Sequence, residues 1–157
     1  ITAQLKVVAP DASSYFDERR SAFQAAMKPY FAEIDKIKGG AAGKTYGATE
    51  SVFDYMAQAC GLVNLTPAGY QNSITNESEP APGDIAAFNA DLTSKKMSVL
   101  IYNTQTEGSV PNQLVNKANS SGVPVVNVTE TLPADVGTFE QWQISQLQSL
   151  SKALGLS

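Results

Sequence analysis

The chain contains no histidine. That absence removes Ser-His-Asp and Cys-His catalysis, which need an imidazole to move the proton. It also removes the common zinc sites, which are built from histidine or several cysteines. A metal held here meets oxygen ligands only, unless another chain or segment supplies nitrogen. There is one cysteine, Cys60, so no internal disulfide forms. Cys60 lies in an apolar helical stretch, Phe53-Asp-Tyr-Met-Ala-Gln-Ala-Cys60, and reads as a small buried residue. Basic clusters are absent and the net charge is -4, which argues against nucleic acid. No apolar run approaches the roughly 18–20 residues that span a bilayer. No signal peptide is evident; Ile1 reads as an interior start, so a targeting segment is expected to be removed or to lie outside the sequence.

What is present fits a globular domain of ordinary size. The 157 residues are 43% hydrophobic and 17% charged, enough for a packed core. From Gly40 onward, strand and helix signals alternate. Strands are expected at Lys44–Thr49, Leu62–Leu65, Ser98–Asn103 and Pro124–Val128. Helices are expected at Ser51–Cys60, Pro82–Ser94, Val110–Asn119 and Thr138–Leu154, with a long polar loop before Pro82. Four successive βα units predict an α/β fold: a four-stranded parallel sheet with helices on both faces. Right-handed crossovers favour the strand order 2-1-3-4.

The first forty residues differ. Phe16, Phe23, Met27, Tyr30, Phe31, Ile34 and Ile37 recur at helical spacing, predicting a helix from about Ser14 to Lys38. Asp11 or Ser13 can cap it, Pro29 should bend or divide it, and Gly39–Gly43 should end it. At ~1.5 Å per residue it spans roughly 37 Å, longer than a compact lobe needs. The sequence Gly39-Gly-Ala-Ala-Gly-Lys-Thr45 imitates a phosphate loop. However, Lys38 stands where that motif needs glycine, and helix and strand come in the reverse order.

Candidate site residues sit at strand ends. The run Val123-Pro-Val-Val-Asn-Val-Thr-Glu-Thr-Leu-Pro133 is an apolar strand that delivers Glu130 to its carboxyl end. Glu50 follows the first strand in the same way. Open α/β sheets bind ligands at that edge, and two carboxylates there suit a cation. Glu50 has an alternative reading: with Thr49 as cap, it stabilises a helix N-terminus through the dipole. That alternative is weaker for Glu130, whose helix starts near Thr138. Glu77 and Glu79 lie in an acidic, proline-stiffened loop and read either as pocket-lining groups or as a helix approach. In Asn103-Thr-Gln-Thr-Glu-Gly108, amides and hydroxyls can orient neighbouring carboxylates or satisfy loop backbone. Gln105 is the pocket-lining candidate there. Trp142, Phe139 and Leu147 read as core or interface.

Five segments in order carry a resemblance. They are Gly47-Ala-Thr-Glu-Ser-Val-Phe-Asp-Tyr55, Thr66-Pro-Ala-Gly-Tyr70, Asn76-Glu-Ser-Glu-Pro80, Val99-Leu-Ile-Tyr-Asn-Thr-Gln-Thr-Glu107 and the Val123–Pro133 run. Together they resemble the C-terminal lobe of the cluster A-I zinc/manganese solute-binding proteins of bacterial ABC importers, the TroA/PsaA/ZnuA type in its actinobacterial flavour. The resemblance implies two α/β lobes joined by a long helix, with the metal between them. On it, residues 1–39 are the linker helix region, residues 40–157 are the C-terminal lobe, and the N-terminal lobe with its two histidines is absent. It implies Glu50 and Glu130 as metal ligands, with Glu130 where the family usually has Asp. The cargo would be Mn or Zn, with two carboxylates leaning slightly to Mn. The same resemblance implies an ABC permease as partner and an extracytoplasmic place, periplasmic or lipid-anchored at the cell surface. The isolated lobe should bind metal weakly and is open to self-association. Two other classes remain open: a surface adhesion or interaction domain, and a small α/β enzyme using the paired carboxylates. The enzyme reading lacks a nucleophile paired with a base.

Overall fold

A computed structural model describes residues 1–106 and 108–156; Glu107 of the fourth segment lies outside them. The elements are α1 (Thr2–Val8), α2 (Ser13–Ala26), α3 (Lys28–Ala41), β1 (Thr45–Ala48), α4 (Asp54–Ala59), β2 (Val63–Asn64), α5 (Ala68–Thr75), α6 (Pro82–Thr93), β3 (Val99–Asn103), α7 (Ser109–Ser121), β4 (Val125–Val128) and α8 (Phe139–Ala153). Short 3-10 turns, Pro10–Ala12 and Ser51–Phe53, lead into α2 and α4.

All strand pairings are parallel, and the order is β2-β1-β3-β4, as the crossover rule requires. Side chains alternate across the sheet and feed two separate cores. Val99, Ile101, Val126 and Val128 point to a layer formed with Ile37 of α3, Phe53, Ala57 and Cys60, and Leu147 and Leu150 of α8. Leu100 points to the opposite layer, with Tyr70 of α5, Phe88 and Leu92 of α6, and Leu114 and Ala118 of α7. Gly47 permits that second layer to close. A Cβ there would meet Met97 Sδ at 2.4 Å and Phe88 at 2.8 Å. Cys60 is fully buried, and burial, reinforced by Glu33, pushes its thiol up to about 11. It is therefore a poor nucleophile.

Two expectations need correction. First, α5 occupies part of the stretch expected to be a long polar loop. Its apolar face is only Tyr70 and Ile74, too short a pattern to separate from loop. Second, α1 precedes the expected first helix, and neither Asp11 nor Ser13 caps α2; the Ser13 hydroxyl instead donates to the Pro10 carbonyl. The long helix divides at Met27, as Pro29 allowed, with Pro29 in the first turn of α3, where its missing N–H costs nothing. The stop falls within Gly39–Gly43 as expected: α3 runs through Gly39 and Gly40 to Ala41, and Gly43, at φ +81°, makes the turn. Only the lower part of the apolar pattern packs on the lobe, through Tyr30, Ile34 and Ile37. Phe23 and Phe31 are exposed, and neither α1 nor α2 buries a residue. Among the described residues no helix is long and apolar enough to cross a membrane.

Candidate metal centre

Parallel strands with their crossover helices set every strand's carboxyl end at one edge, and loops at that edge carry the site. Glu50 leaves β1 in extended conformation (φ -147°, ψ 162°) and precedes the short turn into α4. Its side chain makes no capping bond. Thr49 is not a cap either; its buried hydroxyl accepts from the Asn103 backbone N–H at 3.2 Å. The Ser51–Phe53 turn runs directly into α4, so Glu50 stands at the N-terminal end of a helical segment without a side-chain cap bond.

Glu50 is half-buried. Burial raises its carboxyl above the usual range, a hydrogen bond with Thr106 opposes this, and the charge on Glu130 raises it further.

Glu130 is exposed, on the bend after β4. The next helix begins at Phe139, capped by the Thr138 hydroxyl, which accepts from the Gln141 N–H at 3.3 Å. Glu130 is held instead by the loop after β3. Asn103 Nδ2 donates to Glu130 Oε1 at 2.8 Å and to Thr106 Oγ1 at 2.8 Å. Gln105 Oε1 accepts from the backbone amides of Glu130 (2.7 Å) and Thr131 (3.1 Å), while Gln105 Nε2 donates to Thr131 Oγ1 at 2.7 Å. On the other side, Thr129 N–H donates to Gln146 Oε1 at 2.8 Å, and Trp142 Nε1–H donates to Thr129 Oγ1 at 2.9 Å.

A cleft of about 420 Å³ opens beside Glu50, lined by Tyr70, Glu77, Glu79, Pro80, Thr106 and Pro111 among others. Glu77 lies on its wall in the left-handed region, φ 51°. Gln105 does not line this cleft; its side chain clamps the Glu130 loop. Asn103 is 1% exposed and reaches Glu130 directly, with its other amide hydrogen on Thr106. The general signal for it was the run of amides and hydroxyls after β3; its individual role needed the β3–β4 register. Among the described residues no group of three or more His, Cys, Asp or Glu gathers as a metal cage.

A protein family described as "ZnuA: Zinc-uptake complex component A periplasmic" matches residues 1–153. This chain belongs to that family. By its description it is a family of uptake-complex components. Solved structures with the same fold include a mutant of the laminin-binding adhesin Lmb from Streptococcus agalactiae, with TM-score 0.73 and 19% identity, covering 98% of this chain and 56% of that one. A mutant, Mn-bound periplasmic metal-binding protein from Candidatus Liberibacter asiaticus gives TM-score 0.72 and 14% identity, covering 98% and 57%. A Zn(II)-bound mutant variant of AdcAII from Streptococcus pneumoniae gives TM-score 0.70 and 20% identity, covering 98% and 56%. The chain therefore spans a little over half the length of these structures. No curated protein sequence matches it.

Proposed function

We propose that this ZnuA-family chain is the linker helix region (residues 1–39) and C-terminal lobe (residues 40–157) of a metal-capturing solute-binding protein. Glu50 and Glu130 contribute two of the ligands to a divalent cation, Mn or Zn, and a second lobe supplies the others. The closed protein then hands the ion to an ABC permease in the membrane, from an extracytoplasmic position. One observation carries this reading. Glu50 and Glu130 each follow a strand at the carboxyl edge of the sheet, Glu130 held there by Asn103, and among the described residues no cage of three or more ligands gathers around them. The exposed apolar residues of α1 and α2 fit packing against the second lobe, and the coverage of just over half of related structures agrees with it.

Two oxygen ligands facing water give little chelation, so this chain alone binds metal weakly. The test is Glu50→Gln with Glu130→Gln in the full-length protein, by competition titration with zinc and manganese salts. Affinity should fall by more than the roughly 10–100-fold that loss of an outer partner costs. Unchanged affinity refutes the reading.

A second reading is surface adhesion. A relative of this fold is described as "a bifunctional protein with adhesin and metal transporting activity", and α1 and α2 expose Val7, Val8, Tyr15 and Phe23. Binding to an extracellular matrix protein that persists in the double glutamine variant would favour it as an additional role.

A further inference from the structure

On the metal-capture reading, the loop after β3 is only one of two supports for Glu130. We propose that Trp142 and Gln146 of α8 are positioning residues: they hold the bend at Thr129 and so keep the Glu130 carboxylate in place for the ion.

The direction of each bond is fixed by its donor. Thr129 follows β4 and precedes Glu130, and its backbone N–H donates to Gln146 Oε1 at 2.8 Å. A backbone N–H can only donate, so the Gln146 amide must present its oxygen there. The indole N–H of Trp142 is likewise a donor only, and it meets Thr129 Oγ1 at 2.9 Å. The hydroxyl accepts that bond and gives its own hydrogen to the Thr131 carbonyl at 3.0 Å. A bond from Thr129 to Thr131 closes the bend around the residue between them, which is Glu130. Thus α8 grips both the amide and the hydroxyl of Thr129, and Thr129 passes the constraint across Glu130.

α8 is a fixed mount for this grip. Its Leu147, Leu150 and Leu154 lie in one buried core with Ile37 of α3 and Val126 and Val128 of β4. Gln146 is itself 7% exposed, so its amide has little water to turn to. At the far end of the helix, Lys44 Nζ donates to the Leu154 carbonyl at 2.8 Å. The bend, by contrast, has room to move. A groove of about 260 Å³ lies beside it, lined by Phe53, Met56, Thr129, Glu130 and Trp142 among others. A bend released from α8 can relax into that space and carry the carboxylate with it. Asn103 and Gln105 restrain Glu130 from the β3 side, and the bonds from α8 restrain it from the other.

The test is a double-mutant cycle in the full-length protein, using a zinc salt alone against chelators of graded affinity. Gln146→Met keeps the length of the side chain and removes the acceptor. Trp142→Phe keeps an aromatic ring on α8 and removes the donor. Each should lower zinc affinity roughly ten-fold in wild type, and by the same factor in Glu50→Gln. In Glu130→Gln each should change affinity by less than about two-fold, because the group they position is gone. Equal losses in the two glutamine backgrounds overturn the proposal and make the α8 bonds merely structural. No loss in wild type overturns it as well. Failure of wild type to bind zinc or manganese overturns the metal-capture reading itself. If either α8 variant does not fold, Thr129→Val decides the matter, since it keeps the shape of the residue and removes the hydroxyl. A loss in wild type and Glu50→Gln that vanishes in Glu130→Gln supports the proposal; an equal loss in all three overturns it.

Discussion

Glu50 and Glu130 bring the same chemical group to the same edge of the sheet by opposite means. Glu50 is set by the backbone. It follows the central strand β1 directly, is half-buried, and has its carboxyl raised by that burial. Glu130 is set by side chains. It sits on an exposed bend ahead of a long connection to α8, and Asn103 and Gln105 fix it from the neighbouring strand's loop. The difference teaches that a carboxylate can be placed by chain direction in one position and by borrowed amides in another. The first carries the cost of desolvation, and the second depends on several polar groups staying in register.

That contrast can be broken experimentally. The largest effect should come from the carboxylates one at a time. Glu50→Gln and Glu130→Gln in the full-length protein should each lower metal affinity by more than ~100-fold, measured by competition titration. Gln105→Ala comes next. It frees the amides of Glu130 and Thr131 to water, should cost roughly 10–100-fold in affinity, and should hardly change thermal stability, because Gln105 is exposed. Thr106→Val should be milder, about ten-fold or less by calorimetric titration, because Glu50 keeps its backbone-determined place. A loss at Thr106 larger than that at Gln105 would invert the comparison.

The smallest effect is on stability in metal-free protein. Burial holds the Glu50 carboxyl above the ordinary glutamate range, so the native state binds this proton more tightly than the unfolded one. Stability from this group therefore falls as pH rises from near 4.5 through the raised value, and ionised Glu50 is a net cost at neutral pH. Glu50→Gln should raise the melting temperature slightly at pH 7, with the gain gone below pH 4. A variant less stable than wild type at pH 7 would show that the carboxylate is stabilising after all.

Much of this architecture was legible in the chain. The alternation of apolar strands with amphipathic helices defined four βα units, and the handedness of crossovers gave the strand order. Glu50 and Glu130 stood out because each ends an apolar strand. The division of the long helix was signalled by Pro29. What escaped was of two kinds. The helix α5 has two apolar anchors, Tyr70 and Ile74, among polar residues, and tertiary packing rather than periodicity makes it helical. The network around Glu130 joins residues 25 to 27 apart in sequence. An amide-rich loop announced that something could be oriented there, but which amide meets which carboxylate follows from the parallel register of β3 and β4.

The lone tryptophan of this chain leads in a different direction. Trp142 is half-buried on α8, and its indole donates to the Thr129 hydroxyl, one residue before Glu130. Thr129 in turn donates to the Thr131 carbonyl at 3.0 Å, so the indole is wired to both flanks of the carboxylate. Indole emission responds to the polarity and hydrogen bonding of its surroundings. The fold thus contains a native optical gauge of one half of the site, which needs no label and no mutation to read.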